Sequence, residues 1–573
     1  MTVAATDPRA ERILQRLTRI YGSSVAQATL PRLLDRIRVA DGNGQPLWSE
    51  RDVALITYGD SICRGGEPPL RTLGRFLRER LDDCIEVVHI LPFFPYSSDD
   101  GFAVVDYRRV NPMLGDWADI ESIAGEFDLM VDLVLNHVSS RSMWFTEFLA
   151  RSGRGANFFI EVDPESDVSE VVRPRVRPLL AGFNTEDGEK FVWATFGEDQ
   201  IDLNFANPEV LLEMIDIFQE YLRRGARVVR LDAVAFLWKR LGSACIHLGE
   251  THEVVKLLRD VAELVAPGTI VLTETNVPHH ENISYFGDCD EAHAVYQFAL
   301  PPLLLHALFT GDATYLSHWA RSLEPPPAGC TFINFTASHD GIGMRPAEGL
   351  LPGYEIERLI EGMRRVGAYA SSRDLGGGRK AVYEINTTYF DACRLSEGGE
   401  DGYQLERFLC SQLLMLSLQG IPAIYIHSLT ATPNDHLSVD QTGHLRSVNR
   451  HRWQIETLDR LIDTQGTVQQ AVYAALTDAI RLRRTVKAFH PDTGQRVLTT
   501  QRGLFAFVRT PQSGPAVTVI ANVGSRRVDT DVDPAETAAE MFCDLLTGRV
   551  YEAGSRIELM PYQTAWLSSL GPE

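Results

Sequence analysis

No run of about 18 apolar residues occurs anywhere in the 573-residue chain, so a membrane-spanning helix is not expected. The opening stretch Met1-Thr-Val-Ala-Ala-Thr-Asp-Pro8 lacks both a basic start and an apolar core, which argues against a secretory leader and makes the cytoplasm the expected location. Positive charge is scarce: 55 Lys and Arg against 77 Asp and Glu leave a net charge of −22. That imbalance excludes nucleic acid and anionic membranes as natural partners, and any anionic ligand needs its own local arginines. The eight cysteines, at positions 63, 84, 245, 289, 330, 393, 410 and 543, form no CxxC pair, so buried free thiols are expected rather than a disulfide framework. Neither HExxH nor HxH is present, and no metal site is expected. Internal repeats and low-complexity tracts are missing as well.

What is present is a large soluble enzyme's texture. At 44% apolar content the chain is too long for one compact core, which favours one large α/β domain with appendages. Strand-like runs at 53–58, 86–93, 129–135, 228–231, 270–273, 294–298, 332–335 and 421–426 alternate with helical segments, and eight is the count of a closed (β/α)8 TIM barrel. The clearest helix starts at Asn207-Pro208, repeats apolar residues at Leu211, Ile215, Phe218 and Leu222, and stops at Gly225. An amphipathic stretch at 12–37 precedes the barrel. The expected division is an N-terminal helical extension (1–50), a barrel (51–137 and 202–490), insertions at 138–201 and 341–404, and a C-terminal antiparallel β domain (491–573).

Four apolar runs end in clusters of acids, imidazoles and a guanidinium: Asp132-Leu-Val-Leu-Asn136-His137, Arg230-Leu-Asp232, Glu274-Thr-Asn276 and Ser338-His339-Asp340. Barrel closure would bring these strand ends to one face. Glycoside cleavage through an oxocarbenium-like transition state needs one carboxylate at the anomeric carbon and one carboxylic acid at the leaving oxygen. Asp232 and Glu274 are expected to end adjacent strands, a placement compatible with the short separation of roughly 5–5.5 Å that suits retention of configuration. Asp232 is then the nucleophile, kept ionised by Arg230, and Glu274 the acid, its pKa raised by burial. Asp340 suits the gripping of sugar hydroxyls. His137 and His339 are better read as hydroxyl-binding groups than as metal ligands. Asp132 and Asn136 could serve either to hold a strand end or to touch the sugar.

These clusters resemble the signature regions of the α-amylase family of glycoside hydrolases, and Gln200-Ile-Asp-Leu-Asn204 resembles a fifth. Ile56-Thr-Tyr58, His89-Ile-Leu-Pro-Phe-Phe94, Asp100-Gly-Phe102, the tract 298–306 and Ser338-His-Asp-Gly-Ile-Gly343 are similar to its sucrose phosphorylase branch. The resemblance implies Asp232, Glu274 and Asp340 as nucleophile, acid/base and transition-state stabiliser. It sets Asp100, His137, Arg230, His339 and Arg446 around the glucosyl ring, with Gln200 beside them.

A phosphorylase needs cationic donors that bind phosphate where a hydrolase admits water. Arg173-Pro-Arg175 resembles the loop that supplies such an arginine, and Tyr383 its partner loop. Glu384 stands where the sucrose enzymes carry glutamine, and the tracts 97–102 and 383–386 resemble the glucosylglycerate phosphorylases, a sister group whose acceptor is a carboxylate. Arg373, Arg379 or Lys380 could pair with that anion, whereas Glu384 would repel it unless turned elsewhere. The expected reaction moves a glucosyl unit from a small α-glucoside, 2-O-α-glucosylglycerate ahead of sucrose or sucrose 6-phosphate, to phosphate as co-substrate, with no organic cofactor. Hydrolysis or transglucosylation is the rival reaction, and a non-catalytic barrel the rival class. The oligomeric state is left open.

Overall fold

The computed structural model describes residues 8–39, 46–175, 177–374, 380–530 and 541–569. Eight short parallel strands close into a barrel: β1 (Ala54–Thr57), β2 (Val87–Ile90), β3 (Asp128–Val134), β4 (Ala226–Asp232), β5 (Ile270–Thr273), β6 (Ala294–Tyr296), β7 (Thr331–Phe335) and β8 (Ile421–Tyr425). Each pairs with its neighbour in sequence and β8 closes on β1, with Ala423 opposite Ala54. The eight runs expected from the sequence are these eight strands. Their buried, β-branched composition suits strands covered on both faces.

Two helices precede the barrel, α1 (Pro8–Tyr21) and α2 (Ser23–Leu34), separated at Gly22, whose φ of 79° a side chain would resist. Ala10, Ile13, Leu17 and Ile20 form the buried stripe of α1, at the spacing of one helical face. Two of its arginines meet acids of a later helix, Arg12 bonding Glu263 at 2.9 Å and Arg19 bonding Glu253 at 3.0 Å, and Arg16 reaches Asp290 beyond that helix at 2.7 Å. Asn207 caps α3 (Pro208–Arg223) by accepting from the Glu209 N–H at 3.0 Å, and α3 leads through Gly225 into β4. The helix that receives the α1 arginines, α4 (Gly249–Val265), links β4 to β5.

Between β3 and β4 the chain forms the hairpin Leu180–Thr185 with Gly188–Trp193 and the short pairing His137–Ser139 with Gln200–Asp202. A small core of Val162, Val171, Leu179, Trp193 and Cys245 lies there. Between β7 and β8 come the helix Gly353–Arg365 and the antiparallel strands Tyr369–Asp374 and Lys380–Asn386. The C-terminal segment forms a six-stranded antiparallel sheet. Alternation splits its side chains: Phe505, Phe507, Val519 and Trp566 join the main core, whereas Leu504, Ala506, Ile520 and Leu567 form a separate one. All eight cysteines are free. Among the described residues no helix is long and apolar enough to cross a membrane, and no group of His, Cys, Asp and Glu is arranged to hold a metal ion.

Candidate active site

The C-terminal ends of β3, β4, β5 and β7 deliver their polar clusters to one cavity of about 490 Å³. Its walls are Asp99, Phe102, His137, Arg175, Phe196, Gln200, Arg230, Asp232, Ala233, Glu274, Asn276, His339, Asp340, Tyr383 and Arg446. Arg230 organises the floor. Its register partner across the sheet is Asp132, which binds the guanidinium and also His89 Nε2, the latter at 2.7 Å. Arg230 Nη1 then donates to Asp232 at 3.0 Å, and Nη2 stands 3.9 Å from Glu274. Asp132 itself does not line the cavity; it is a buried counter-charge, held at about 2 by Arg230 and His89 against the upward push of burial.

The strand ends fix the two acids. Glu274 N–H bonds the Leu231 carbonyl at 3.1 Å, extending the β4–β5 ladder by one residue. Ala233 then takes a left-handed conformation (φ 52°), and its N–H donates to Glu274 Oε2 at 3.0 Å. Burial, with Glu274, Asp132 and Asp340 close by, pushes Asp232 well above the ordinary carboxylate range against the pull of Arg230. Burial and Asp340 also raise Glu274. The sequence leads one to expect Arg230 alone to keep Asp232 ionised, but burial, joined by three neighbouring carboxylates, outweighs one shared guanidinium. The two acids share one cation. Asp232 is the nearer to Arg230, 3.0 Å against 3.9 Å, which favours leaving the charge on Asp232 and the proton on Glu274.

Asp340 behaves differently. Burial raises it, yet Arg446, His339, Arg230 and Arg450 together hold it below the usual carboxylate range. Arg446 Nη1 lies 2.5 Å from its carboxylate. Asn449 Nδ2 donates to the Ser338 and Asp340 carbonyls at 3.2 and 2.9 Å, so the 3-10 turn Leu445–Asn449 that carries Arg446 also clamps the loop after β7. His339 stacks on Phe102 with ring centroids 4.8 Å apart and planes 5° from parallel. Burial lowers His339 to about 3 and His137 to about 4, so both imidazoles are neutral at physiological pH.

Past Arg175, Tyr383 and Arg446 the cavity opens into a vestibule of about 1350 Å³, lined also by Tyr96, Asp100, Arg177, Ser371, Glu384, His444 and Arg450. Here the structure corrects several expectations. Asp100 does not line the inner cavity; it points outward and pairs with Arg450, and Asp99 takes the inner position. Two consecutive left-handed residues, Asp99 (φ 53°) and Asp100 (φ 47°), redirect the side chains, which no periodicity forecasts. Gly101 follows at φ 115°, where a Cβ would lie 2.6 Å from the Pro92 carbonyl, so the turn cannot relax with a larger residue. Asp99 accepts from Arg175 and from the Gln200 amide, both at 3.2 Å, and these arginine contacts hold it ionised against burial.

Arg173 stands apart from both cavities; its Nη1 donates to the Arg177 carbonyl at 3.3 Å. Arg373 is taken by Glu348 through bonds of 2.6 and 2.8 Å, Lys380 is exposed outside the vestibule, and Arg379 lies outside the described residues. Glu384 is buried and turned onto Arg446, accepting at 3.0 and 3.1 Å, and it also receives the Gly341 N–H at 3.1 Å. Tyr383 receives a bond from Asn276 Nδ2 at 3.2 Å. Asn136 does not reach the cavity: it bonds Asp202 and accepts from the buried Lys239 ammonium at 2.6 Å. Asp99, Phe196, Lys239 and Arg450 were not singled out in the sequence. The doubled acid at 99–100 was the one signal available, and it does not say which member points inward.

A model of the α-amylase catalytic domain matches residues 82–315. The chain is 44% identical to the glucosylglycerate phosphorylase of Spirochaeta thermophila over 97% of this chain and 98% of that one. It is 40% identical to the glucosylglycerate phosphorylase of Escherichia coli, over 97% of this chain and 100% of that one. Among solved structures, sucrose 6F-phosphate phosphorylase from Thermoanaerobacter thermosaccharolyticum superposes with a TM-score of 0.72 at 25% identity, covering 89% of this chain and 98% of the other.

Proposed function

The chain belongs to the α-amylase family, alongside its glucoside phosphorylases, and from that footing we propose that it is a retaining phosphorylase. It transfers a glucosyl unit from 2-O-α-glucosylglycerate to inorganic phosphate and releases α-glucose 1-phosphate. In the first step Glu274 donates its proton to the glycosidic oxygen as the Asp232 carboxylate attacks the anomeric carbon. The C–O bond breaks, the acceptor alcohol leaves, and a β-glucosyl ester of Asp232 remains. In the second step a phosphate oxygen displaces the Asp232 carboxylate from the opposite face, restoring the α configuration. Phosphate is already an oxyanion, so Glu274 need not remove a proton from it. Asp340 and Arg446 hold sugar hydroxyls, with Asp99, His137 and His339 around the ring, and Arg175 and Tyr383 meet the phosphate. The segments 138–201 and 341–404 supply these acceptor-side groups, and no organic cofactor takes part.

The observation that carries this reading is the shared guanidinium: Arg230 binds Asp232 and approaches Glu274 in a cavity that Arg175 also lines. Two acids under one cation serve double displacement, and an arginine at the mouth serves an anionic nucleophile rather than water. The test is product analysis of glucosylglycerate incubated with and without phosphate. Glucose 1-phosphate that appears only with phosphate supports phosphorolysis. Free glucose formed at the same rate in both would make the enzyme a hydrolase.

A further inference from the structure

The vestibule is charge-matched except at one residue. Its lining carries three carboxylates, Asp99, Asp100 and Glu384, and four guanidinium groups. Three of the four are engaged: Arg175 with Asp99, Arg450 with Asp100, and Arg446 with Glu384. Arg177, the fourth, has no carboxylate partner among the described residues. The loop ties its backbone, because Arg173 Nη1 bonds the Arg177 carbonyl at 3.3 Å and Pro178 follows directly, while the side chain is exposed. Its guanidinium lies over Gly197, where an added Cβ would stand 3.4 Å from Nη1 and 3.9 Å from Cδ. A larger side chain at 197 would push it off that seat.

A guanidinium on a residue that lines the vestibule, with no carboxylate partner among the described residues, is suited to an anion brought by the ligand. Guanidinium and carboxylate pair in a planar, two-bond geometry that a hydroxyl cannot match. We infer that Arg177 is the specificity-determining residue of the acceptor site and binds the carboxylate of the glycerate-type acceptor as that acceptor leaves or enters. The inference rests on the proposed phosphorolysis and adds to it the residue that distinguishes an acid acceptor from a neutral polyol. It also gives Glu384 a compatible role: bound to Arg446, it does not oppose the acceptor's charge.

The test runs the full-length enzyme in reverse, with α-glucose 1-phosphate as donor and glycerate or glycerol as acceptor. The readout is the ratio of kcat/KM for glycerate to that for glycerol. Arg177→Ala should lower the ratio at least tenfold, Arg177→Lys should restore part of it, and Gly197→Val, which displaces the guanidinium without removing it, should lower it too. The KM for phosphate in the forward direction is measured on the same variants. A fall in the glycerate ratio supports the inference whether or not phosphate also binds more weakly. An unchanged ratio in Arg177→Ala, a parallel fall for glycerate and glycerol, or an effect confined to phosphate would overturn it. Wild-type enzyme that makes no glucosylglycerate at all would instead sink the proposed function, so the two failures are distinguishable.

Discussion

The inner cavity and the vestibule share Asp99, Arg175, Tyr383 and Arg446, yet they are held by different parts of the chain. The inner acids and the arginine between them sit on β4, just past the end of β5 and just past the end of β7, and the backbone ladder carries straight into Glu274. Asp232 and Glu274 share Arg230, and Arg230 has its own buried counter-ion in Asp132. The vestibule is made of turns and insertions. Its arginines meet acids from distant loops, and one of them, Arg177, meets none among the described residues. On the proposed function, the glucosyl-transfer chemistry belongs to the barrel and the choice of partner for the glucosyl group to the loops.

The largest effect is expected from removing the proposed nucleophile. Asp232→Ala should cost about four orders of magnitude or more in glucosyl transfer, measured as glucose 1-phosphate release, while circular dichroism stays unchanged. Activity retained within tenfold would move the chemistry off β4. Next comes the support beneath it. Asp132→Asn removes the buried counter-charge of Arg230 and should lower stability by about 3–5 kcal/mol in denaturant titration. Transfer should fall about a hundredfold because the guanidinium no longer has a fixed position between the acids. A neutral effect on both would show that Arg230 is held by something other than Asp132.

A third test exploits the buried imidazoles. Burial holds His137 at about 4 and His339 at about 3, whereas the unfolded chain takes up these protons near the ordinary 6.5. Between those values the unfolded state binds more protons than the folded one, so stability is complete above about 6.5 and falls as the pH drops toward 3. Asp340, held low by its arginines, adds to the same acid loss, and Asp232 and Glu274, pushed upward, oppose it. Thermal midpoints should therefore decline from pH 6.5 to pH 4, and His339→Gln should make that decline shallower. An identical slope in the variant would show that the imidazole is protonated in the folded enzyme. The smallest expected effect lies at the boundary of the two regions. Tyr383→Phe removes the hydroxyl that accepts from Asn276 and should raise the phosphate KM only a few-fold, about the effect of one hydrogen bond.

The same contrast explains what could be seen in the sequence. All eight barrel strands were legible because short β-branched runs alternate with capped helices, and the cap at Asn207 is a local signal that the structure keeps. Asp232, Glu274 and Asp340 were legible because barrel topology carries residues at strand ends to one mouth. Asp99 was not, since its inward direction depends on two successive left-handed residues. The role of Asp132 was undecided because its partner Arg230 lies 98 positions away in the chain and becomes a neighbour only through strand pairing. Arg373, a candidate partner for the acceptor anion in the sequence, is taken by Glu348, whereas Arg177, not singled out as a candidate in the sequence, is the one vestibule arginine without a carboxylate partner among the described residues. Ion pairing between loops is a tertiary property, and composition does not reveal which charges it leaves over.

Double displacement on Asp232, with phosphate as the second nucleophile, fixes the anomeric form of the product, and NMR of the sugar phosphate formed from 2-O-α-glucosylglycerate and orthophosphate reads that form. Exclusive α-glucose 1-phosphate, formed in step with phosphate consumption, is the predicted result; β-glucose 1-phosphate, or free glucose with phosphate untouched, would contradict it.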